Sequence, residues 1–424
     1  MPLAAPQGTA PAGTWRSPCE LADILRRYGA AYSRRNRLSP AERKVMRDVT
    51  RCRTAALGGH REWCDACGFE RYLYHSCRNR HCPKCQTRER DAWVQARQDE
   101  LLPVPYFHHV FTLPHQLNPL VRFSERNQRA LLKLLFDATA QTLLEFGRRE
   151  LGGTVGFTLV LHTWDQQLRT HLHVHCLMAS GALAADPGVP ARWIAGGRKF
   201  LFPVHGLSKM FRGKFLDGLA KLLDAAQLDL PPHLAALAAA DTRPGAPGLR
   251  CWLPEPWVVY SKPPFAGPKK LVEYLGRYTH RVAISNHRLL SCEGGQVRFT
   301  YRDRRDGDRL KTAEIPVDTF IGRFLHHVLP ARFLRIRHYG FLANRAKHQS
   351  LARCRVLLGI APAASRDDRA RTLADWVREV LGVDPSCCPR CGQGLHRVSL
   401  PRVSTHGPHP TPSVPRQHEP WDSS

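Results

Sequence analysis

Between His171 and Leu177 the chain reads His-Leu-His-Val-His-Cys-Leu, an imidazole at every second position. On a β-strand, side chains alternate between faces, so His171, His173 and His175 share one face while Leu172, Val174 and Cys176 share the other. Neutral imidazole is a common metal ligand, and a row of three backed by an apolar face suits a divalent cation held against a packed sheet. A solvated polar face is the ordinary reading of a lone His-x-His. Three in register favour the metal.

A second ligand set lies nearer the N-terminus. Cys64-Asp-Ala-Cys67 and Cys82-Pro-Lys-Cys85 are Cys-x-x-Cys pairs separated by fourteen residues, and Gly68 follows the first as the tight turn of such a knuckle. Two knuckles make a tetrahedral site, so Cys64, Cys67, Cys82 and Cys85 are expected to hold one structural zinc. Cys52, His60, Cys77 and His81 remain as candidates for a second, or as small buried and surface residues. Cys387-Cys-Pro-Arg-Cys391-Gly392 is a third knuckle without a neighbouring pair, so a zinc there would need His396 or distant ligands.

Tyr274 and Tyr278, in Tyr-Leu-Gly-Arg-Tyr, stand one above the other on a helix. Two stacked core rings are the bland reading, but Gly276, Arg277 and Arg281 make the segment too basic to be wholly buried. A phenol with its ordinary pKa of about 10 is a poor nucleophile at neutral pH. It becomes useful where Mg2+ or Mn2+ polarises the phosphate it attacks and stabilises the departing 3′-oxygen. The products are a 5′-phosphotyrosine and a free 3′-hydroxyl. Two tyrosines permit two successive strand transfers without hydrolysis.

The 424 residues carry a formal charge of +27 and a pI near 10.1. That excess calls for a polyanion, and arginine forks match phosphate, so nucleic acid is the expected partner. No apolar run is long enough to span or anchor in a membrane, and Met1 to Gly13 lacks the pattern of a signal peptide. The expected compartment is the bacterial cytoplasm, on the nucleoid, with all fourteen cysteines reduced and available to metal.

The elements that must position these groups follow from periodicity. Helical spacing runs from Cys19 to Leu38 and again from Pro40, with Val45 and Val49 on one face. Pro105 to Pro114 reads as a strand. A long helix starts at the N-cap Ser124, carries Leu131, Leu135, Ala138, Leu143 and Phe146 inward, and stops before Gly152-Gly153. Val155 to His162 is an apolar strand joined to the histidine strand by a polar turn, an antiparallel hairpin that brings Trp164 to Gln167 beside the metal. Trp257 to Tyr260, Val282 to Ser285, Arg288 to Leu290 and Gln296 to Tyr301 read as short strands, and Asp306-Gly307 as a hairpin turn. Residues 317–359 read as a basic helical region.

Taken together, these motifs resemble the insertion-sequence-91 family of transposases, two-tyrosine nucleases with a His-hydrophobic-His signature. The resemblance rests on Cys52-Arg-Thr-Ala-Ala-Leu-Gly-Gly-His60, Ser76-Cys-Arg-Asn-Arg-His-Cys-Pro-Lys-Cys85, Tyr274-Leu-Gly-Arg-Tyr278 and Arg335-Ile-Arg-His-Tyr-Gly-Phe-Leu342. It covers roughly residues 20 to 395, and Phe111-Thr112-Leu113 resembles the first strand motif of related replication initiators. It implies an α+β chain: an HUH nuclease domain whose central antiparallel sheet is flanked by helices, preceded by a small zinc-knuckle domain. The implied boundaries are residues 16–100 for the helical and zinc-binding DNA-binding domain, 101–360 for the nuclease, 361–398 for a C-terminal helix and knuckle, and 399–424 for a disordered tail.

By position, His173 and His175 match the signature pair, although His171 and His173 match it equally. His171, Gln166 and Gln167 are candidates for the third ligand. Tyr274 and Tyr278 match the nucleophiles. Arg78, Arg80, Lys84, Arg277, Arg281, Arg335 and Arg337 are the expected DNA contacts. The resemblance implies rolling-circle transposition by cleavage and rejoining of single-stranded DNA at transposon ends, with structural Zn2+, catalytic Mg2+ or Mn2+, and host replication machinery as a partner. The alternatives are a non-catalytic zinc-dependent DNA-binding protein and a zinc hydrolase, both indifferent to the tyrosine pair.

Overall fold

A computed structural model describes residues 18–85, 87–184, 188–235, 253, 256–262, 269–270, 272–273, 276, 283–303, 306–360 and 372–403. The chain is mixed α+β, and every strand pair is antiparallel. It packs as two units, residues 1–50 with 78–370, and residues 51–77 with 371–424.

In the first unit α1 (Leu21–Arg35) and α2 (Pro40–Arg51, whose last residue opens the second unit) form where the apolar spacing places them. In the second unit follow β1 (Gly59–Trp63) and β2 (Glu70–Tyr74). Back in the first unit α3 (Thr87–Asp99) occupies a stretch the sequence reading passes over, because it has no clean apolar stripe and no fully buried residue. β3 (Tyr106–Thr112) and α4 (Asn118–Phe123) lead to α5 (Glu125–Leu151). Ser124 caps α5 by accepting the Asn127 N–H at 3.2 Å, and Gly152 ends it in the left-handed conformation at φ 63°.

β4 (Thr154–Trp164), β5 (Thr170–Ala184) and β6 (Arg192–Ala195) follow, then α6 (Val204–Asp224) and β7 (Val259–Lys262). β8 (Leu289–Glu293), β9 (Gln296–Asp303) and β10 (Arg309–Pro316) make a separate meander, with Gly307 at φ 57° in its turn. After α7 (Val317–Leu325), residues 336–340 are not helical: β11 (Ile336–Gly340) is a strand paired with β4, followed by α8 (Lys347–Leu357). The arginine-rich composition hides it, since only its pairing with β4 marks it as extended.

The central sheet runs β11-β4-β5-β3-β7, with β6 beside β5. Alternation sorts its two faces. Phe107, Phe111, Phe157, Leu159, Leu172, Val174 and Cys176 point to one side and are buried against Leu131, Leu135 and Phe136 of α5 and Phe211 and Phe215 of α6. The expected apolar side of the histidine strand is therefore the helix-covered one. On the other side Leu177, Ala179 and Tyr106 pack with Val272, with Leu351 and Cys354 of α8, and with Trp93 and Val94 of α3. Even the adjacent imidazoles His108 and His109 divide: His109 lies fully buried beside Phe107, while His108 faces the opposite way.

The second unit carries α9 (Leu373–Leu381) and β12 (His396–Leu400), and its sheet runs β12-β1-β2. Glu62, fully buried in the middle strand, accepts from Arg71 of β2 and Arg397 of β12, both at 2.7 Å. A buried carboxylate is stable only with such partners, so this triad ties the three strands. β12 crosses the boundary expected at residue 398 and pairs with β1 along Gly59–Trp63, so strands more than three hundred residues apart in sequence build one sheet.

Phe111→Ala is expected to destabilise the first unit by about 3–5 kcal/mol, since the ring is fully buried and sits 5.2 Å from that of Phe211. Chemical denaturation of the purified variant measures it.

Candidate metal centres

His162, His173 and His175 each offer a ring nitrogen, and the three nitrogens lie within 4.8 Å of one another. His173 and His175 are two apart on β5, and His162 of β4 stands opposite His173 in the ladder. The β4–β5 register shifts by one residue between His162 and Trp164. Phe157, Leu159 and Leu161 point to the helices, so regular alternation along β4 sets His162 on the opposite face, and the slip falls beyond it toward the turn. The turn that follows is held by its own Asp165, whose Oδ1 accepts from Gln167 N and Arg169 N, both at 2.8 Å. Arg288 and Arg323 donate to the Gln166 and Gln167 carbonyls, and His327 Nε2 lies 3.0 Å from the Leu168 carbonyl.

Hydrogen bonds set the tautomers. His173 Nδ1 is 2.9 Å from the His171 carbonyl, an acceptor only, so Nδ1 carries the proton and Nε2 its lone pair. His175 Nδ1 is 2.8 Å from His108 Nε2, with the rings nearly parallel. That leaves the Nε2 atoms of His173 and His175 facing each other 3.2 Å apart. Two nitrogens at about 2.0–2.2 Å from one cation and about 90–109° apart would be separated by roughly 2.8–3.6 Å. The three side chains thus fit a divalent metal. Burial, with Lys262 opposite, pushes His108 down to about 4, so it is neutral at physiological pH and able to accept from His175 Nδ1.

His171 is exposed and lies outside this group, although its ring is 4.7 Å from that of His173. The candidates His171, Gln166 and Gln167 for the third ligand give way to His162. Among the described residues the two glutamines serve the turn through their backbone. The pairing His173/His175, rather than His171/His173, is the one the sheet brings together. Tyr274, Tyr278, Arg277 and Arg281 lie outside the described residues. Their neighbours are anchored: Val272 is fully buried in the cluster with Leu177, Gln98 donates to Glu273 at 3.2 Å, and Gly276 adjoins Val94 of α3.

The cysteines are brought together differently from the sequence reading. Cys64 and Cys67 meet Cys388 and Cys391, the third knuckle, with all four sulfurs within 4.8 Å. Cys64 Sγ is 3.5 Å from Cys391 Sγ, and Cys67 Sγ is 3.6 Å from Cys388 Sγ. Cys82 and Cys85 are not their partners. They belong to the first unit, in a tight turn where Cys85 N–H reaches the Cys82 carbonyl at 3.2 Å. Cys52 and Cys77 stand together in the second unit, the Cys77 N–H donating to Cys52 Sγ at 3.5 Å. His396 stacks on Trp63 and pairs with Asp65 at 2.8 Å, so it is not the ligand that the third knuckle lacked. His60 and His81 stand in no metal-ligand group among the described residues.

Several expected DNA contacts are engaged by the protein itself. Arg80 donates to the carbonyls of Phe333 at 2.7 Å and Pro330 at 3.2 Å, and Arg337 lies over the Phe136 ring at 4.2 Å. Lys84 pairs with Glu20. Burial and the neighbouring Arg80 push Arg335 down to about 10. Arg78 is exposed, with φ 51°.

An antiparallel sheet with a buried three-imidazole cluster, together with cysteine knuckles, defines a protein built to bind metal. A family described as "Transposase zinc-binding domain" matches residues 24–113, and one described as "Putative transposase" matches residues 156–350. The chain is 46% identical over 385 residues to "Putative transposase y4qJ" of Sinorhizobium fredii, covering 89% of this chain and 94% of that protein. It is 30% identical over 362 residues to "Transposase for insertion sequence element IS801" of Pseudomonas savastanoi pv. phaseolicola, covering 84% and 83%. No solved structure matches. The chain belongs to the insertion-sequence-91 family of transposases. No helix among the described residues is long and apolar enough to cross a membrane.

Two outcomes are expected. Cys388→Ser should cost the purified protein about one equivalent of zinc, as Cys64→Ser does, whereas Cys82→Ser should leave the Cys64 centre loaded; metal analysis with a thiol-triggered zinc reporter measures this. His162→Ala should abolish saturable Mn2+ binding, His108→Phe should weaken it about 10–100-fold, and His171→Ala should change it little, as read by titration calorimetry.

Proposed function

We propose that this transposase nicks and rejoins single-stranded DNA through tyrosine, using the cation site at His162, His173 and His175. The observation that carries the reading is the shared sheet face. The imidazole cluster lies on the side of β5 that also carries Leu177, and Val272, two residues before Tyr274 in sequence, is buried on that side. A divalent cation there, Mg2+ or Mn2+, supplies charge to the scissile phosphate and to the departing oxygen.

The protein's own groups do the rest. His108 and the His171 carbonyl hold the ligand tautomers, so two lone pairs are set toward the cation before DNA arrives. Attack by a phenol oxygen of Tyr274 or Tyr278 forms a P–O bond and breaks the P–O3′ bond. The phenolic proton ends on the released 3′-hydroxyl. A second phenol then allows the second transfer of a rolling-circle cycle at the transposon ends.

The N-terminal cysteine knuckles are read as holders of structural zinc. The match of residues 24–113 to a zinc-binding domain supports this. Host replication machinery and the nucleoid remain the expected setting of the reaction.

Purified protein incubated with 5′- or 3′-labelled single-stranded terminus DNA and Mn2+ should yield a denaturant-resistant protein–DNA adduct carrying the 5′ phosphate. The Tyr274→Phe/Tyr278→Phe double variant should give none, and His173→Ala should lower the yield at least about 100-fold, of the order of losing a catalytic metal. An adduct that survives loss of both tyrosines would sink the mechanism.

A further inference from the structure

The outer face of the second unit's sheet has a composition that its zinc centre does not explain. Ladder register puts Arg61 of β1 opposite Tyr72 of β2 and Val398 of β12, and puts Trp63 opposite His396 and Glu70. Tyr74 lies two residues along from Tyr72 on the same face. Tyr72 is 53% exposed, Tyr74 37% and Val398 45%. A sheet that merely frames a zinc site has no need of solvent-exposed rings, and exposed aromatic patches mark binding surfaces.

The rings are also held in place. Arg61 pairs with Glu70 at 2.8 Å, and the Tyr72 hydroxyl is bonded to the same carboxylate. The Trp63 indole N–H donates to Asp65 at 3.1 Å, its ring stacks on His396, and the Arg61 guanidinium lies 5.3 Å over it. Polar edges are thus tethered while ring surface faces water. Beyond Tyr74, the exposed Arg402 brings a cation close to Gly58, where β1 begins.

We propose that this face, centred on Tyr72 and Tyr74, is a stacking platform for the unpaired bases of single-stranded DNA. Base stacking on aromatic side chains is sequence-tolerant, because every base has a π-face, and flanking arginines serve the backbone. A duplex hides its base faces and would gain little from such a surface. Among the exposed side chains at these ladder positions only Val398 is aliphatic, and a chain of net charge +27 favours a polyanion over a protein partner. The platform rests on the reading of this chain as acting on single strands. It needs no cleavage.

The test uses the full-length, zinc-loaded chain carrying Tyr274→Phe and Tyr278→Phe, without added Mg2+ or Mn2+, so that the strand stays uncut. Fluorescence anisotropy measures binding of a labelled oligothymidylate, an abasic strand of equal length, and a duplex. Tyr72→Ala/Tyr74→Ala should weaken oligothymidylate binding about tenfold or more and leave the abasic strand and the duplex unchanged. Tyr72→Phe/Tyr74→Phe, which keeps the ring faces, should bind like the parent. Both rings are exposed, so zinc content should be normal in every variant. Unchanged binding by the alanine variant overturns the platform, as does an equal loss on abasic strand and duplex. Loss in the phenylalanine variant equal to that in the alanine variant overturns stacking as the interaction. Because cleavage is not read, failure here leaves the adduct assay to decide the nuclease reading separately.

Discussion

The register of β4 against β5 is the constraint on which the metal centre depends. A strand presents alternate residues to opposite faces, so with Phe157, Leu159 and Leu161 pressed onto the helices His162 faces the other way. The ladder then makes it the cross-strand neighbour of His173, and a one-residue slip follows beyond it. The slip is held by a turn with many tethers: Asp165 bonds two backbone N–H groups, two arginines take the carbonyls of Gln166 and Gln167, and His327 reaches the Leu168 carbonyl. A region this far over-determined can keep three imidazoles converged against the cost of desolvating them.

The same sheet separates stability from chemistry by face. One side is apolar and pressed onto α5 and α6, and it fixes the height and direction of β3, β4 and β5. The other carries His108, His173, His175 and His162 at one end and the Val272 cluster at the other. Rigid ladders therefore set the ligand geometry to a fraction of an ångström, which a loop would not do. The second unit solves a different problem, a core too small to fold alone, with four thiols and a buried Glu62 held by two arginines.

Much of this architecture is legible in the residues. The capped helix from Ser124 to Gly152, the apolar side of the histidine strand and the pairing of that strand with residues 155–162 all follow from periods of 3.6 and 2 and from turn chemistry. Helix α3 and strand β11 do not, because their composition is dominated by charge and their structure comes from neighbours: β11 exists as the edge partner of β4. Arg80 and Arg337 look like phosphate contacts in a chain of charge +27, yet they hold carbonyls and aromatic rings. Charge counts say that a polyanion is a partner. They do not say which cations meet it.

By itself the sequence determined the chemistry on offer: alternating imidazoles, Cys-x-x-Cys knuckles, a tyrosine pair and a surplus of arginine. Spacing along the chain is enough for that, because each motif is local. Which motifs share a metal was decided only in three dimensions. Cys64 and Cys67 have Cys82 and Cys85 close by in sequence, but their sulfurs meet Cys388 and Cys391 because β12 pairs with β1. His162 joins His173 and His175 because the β4–β5 ladder sets it opposite His173 on the face away from the helices. Both are facts of register, and register belongs to pairs of strands rather than to any stretch of sequence.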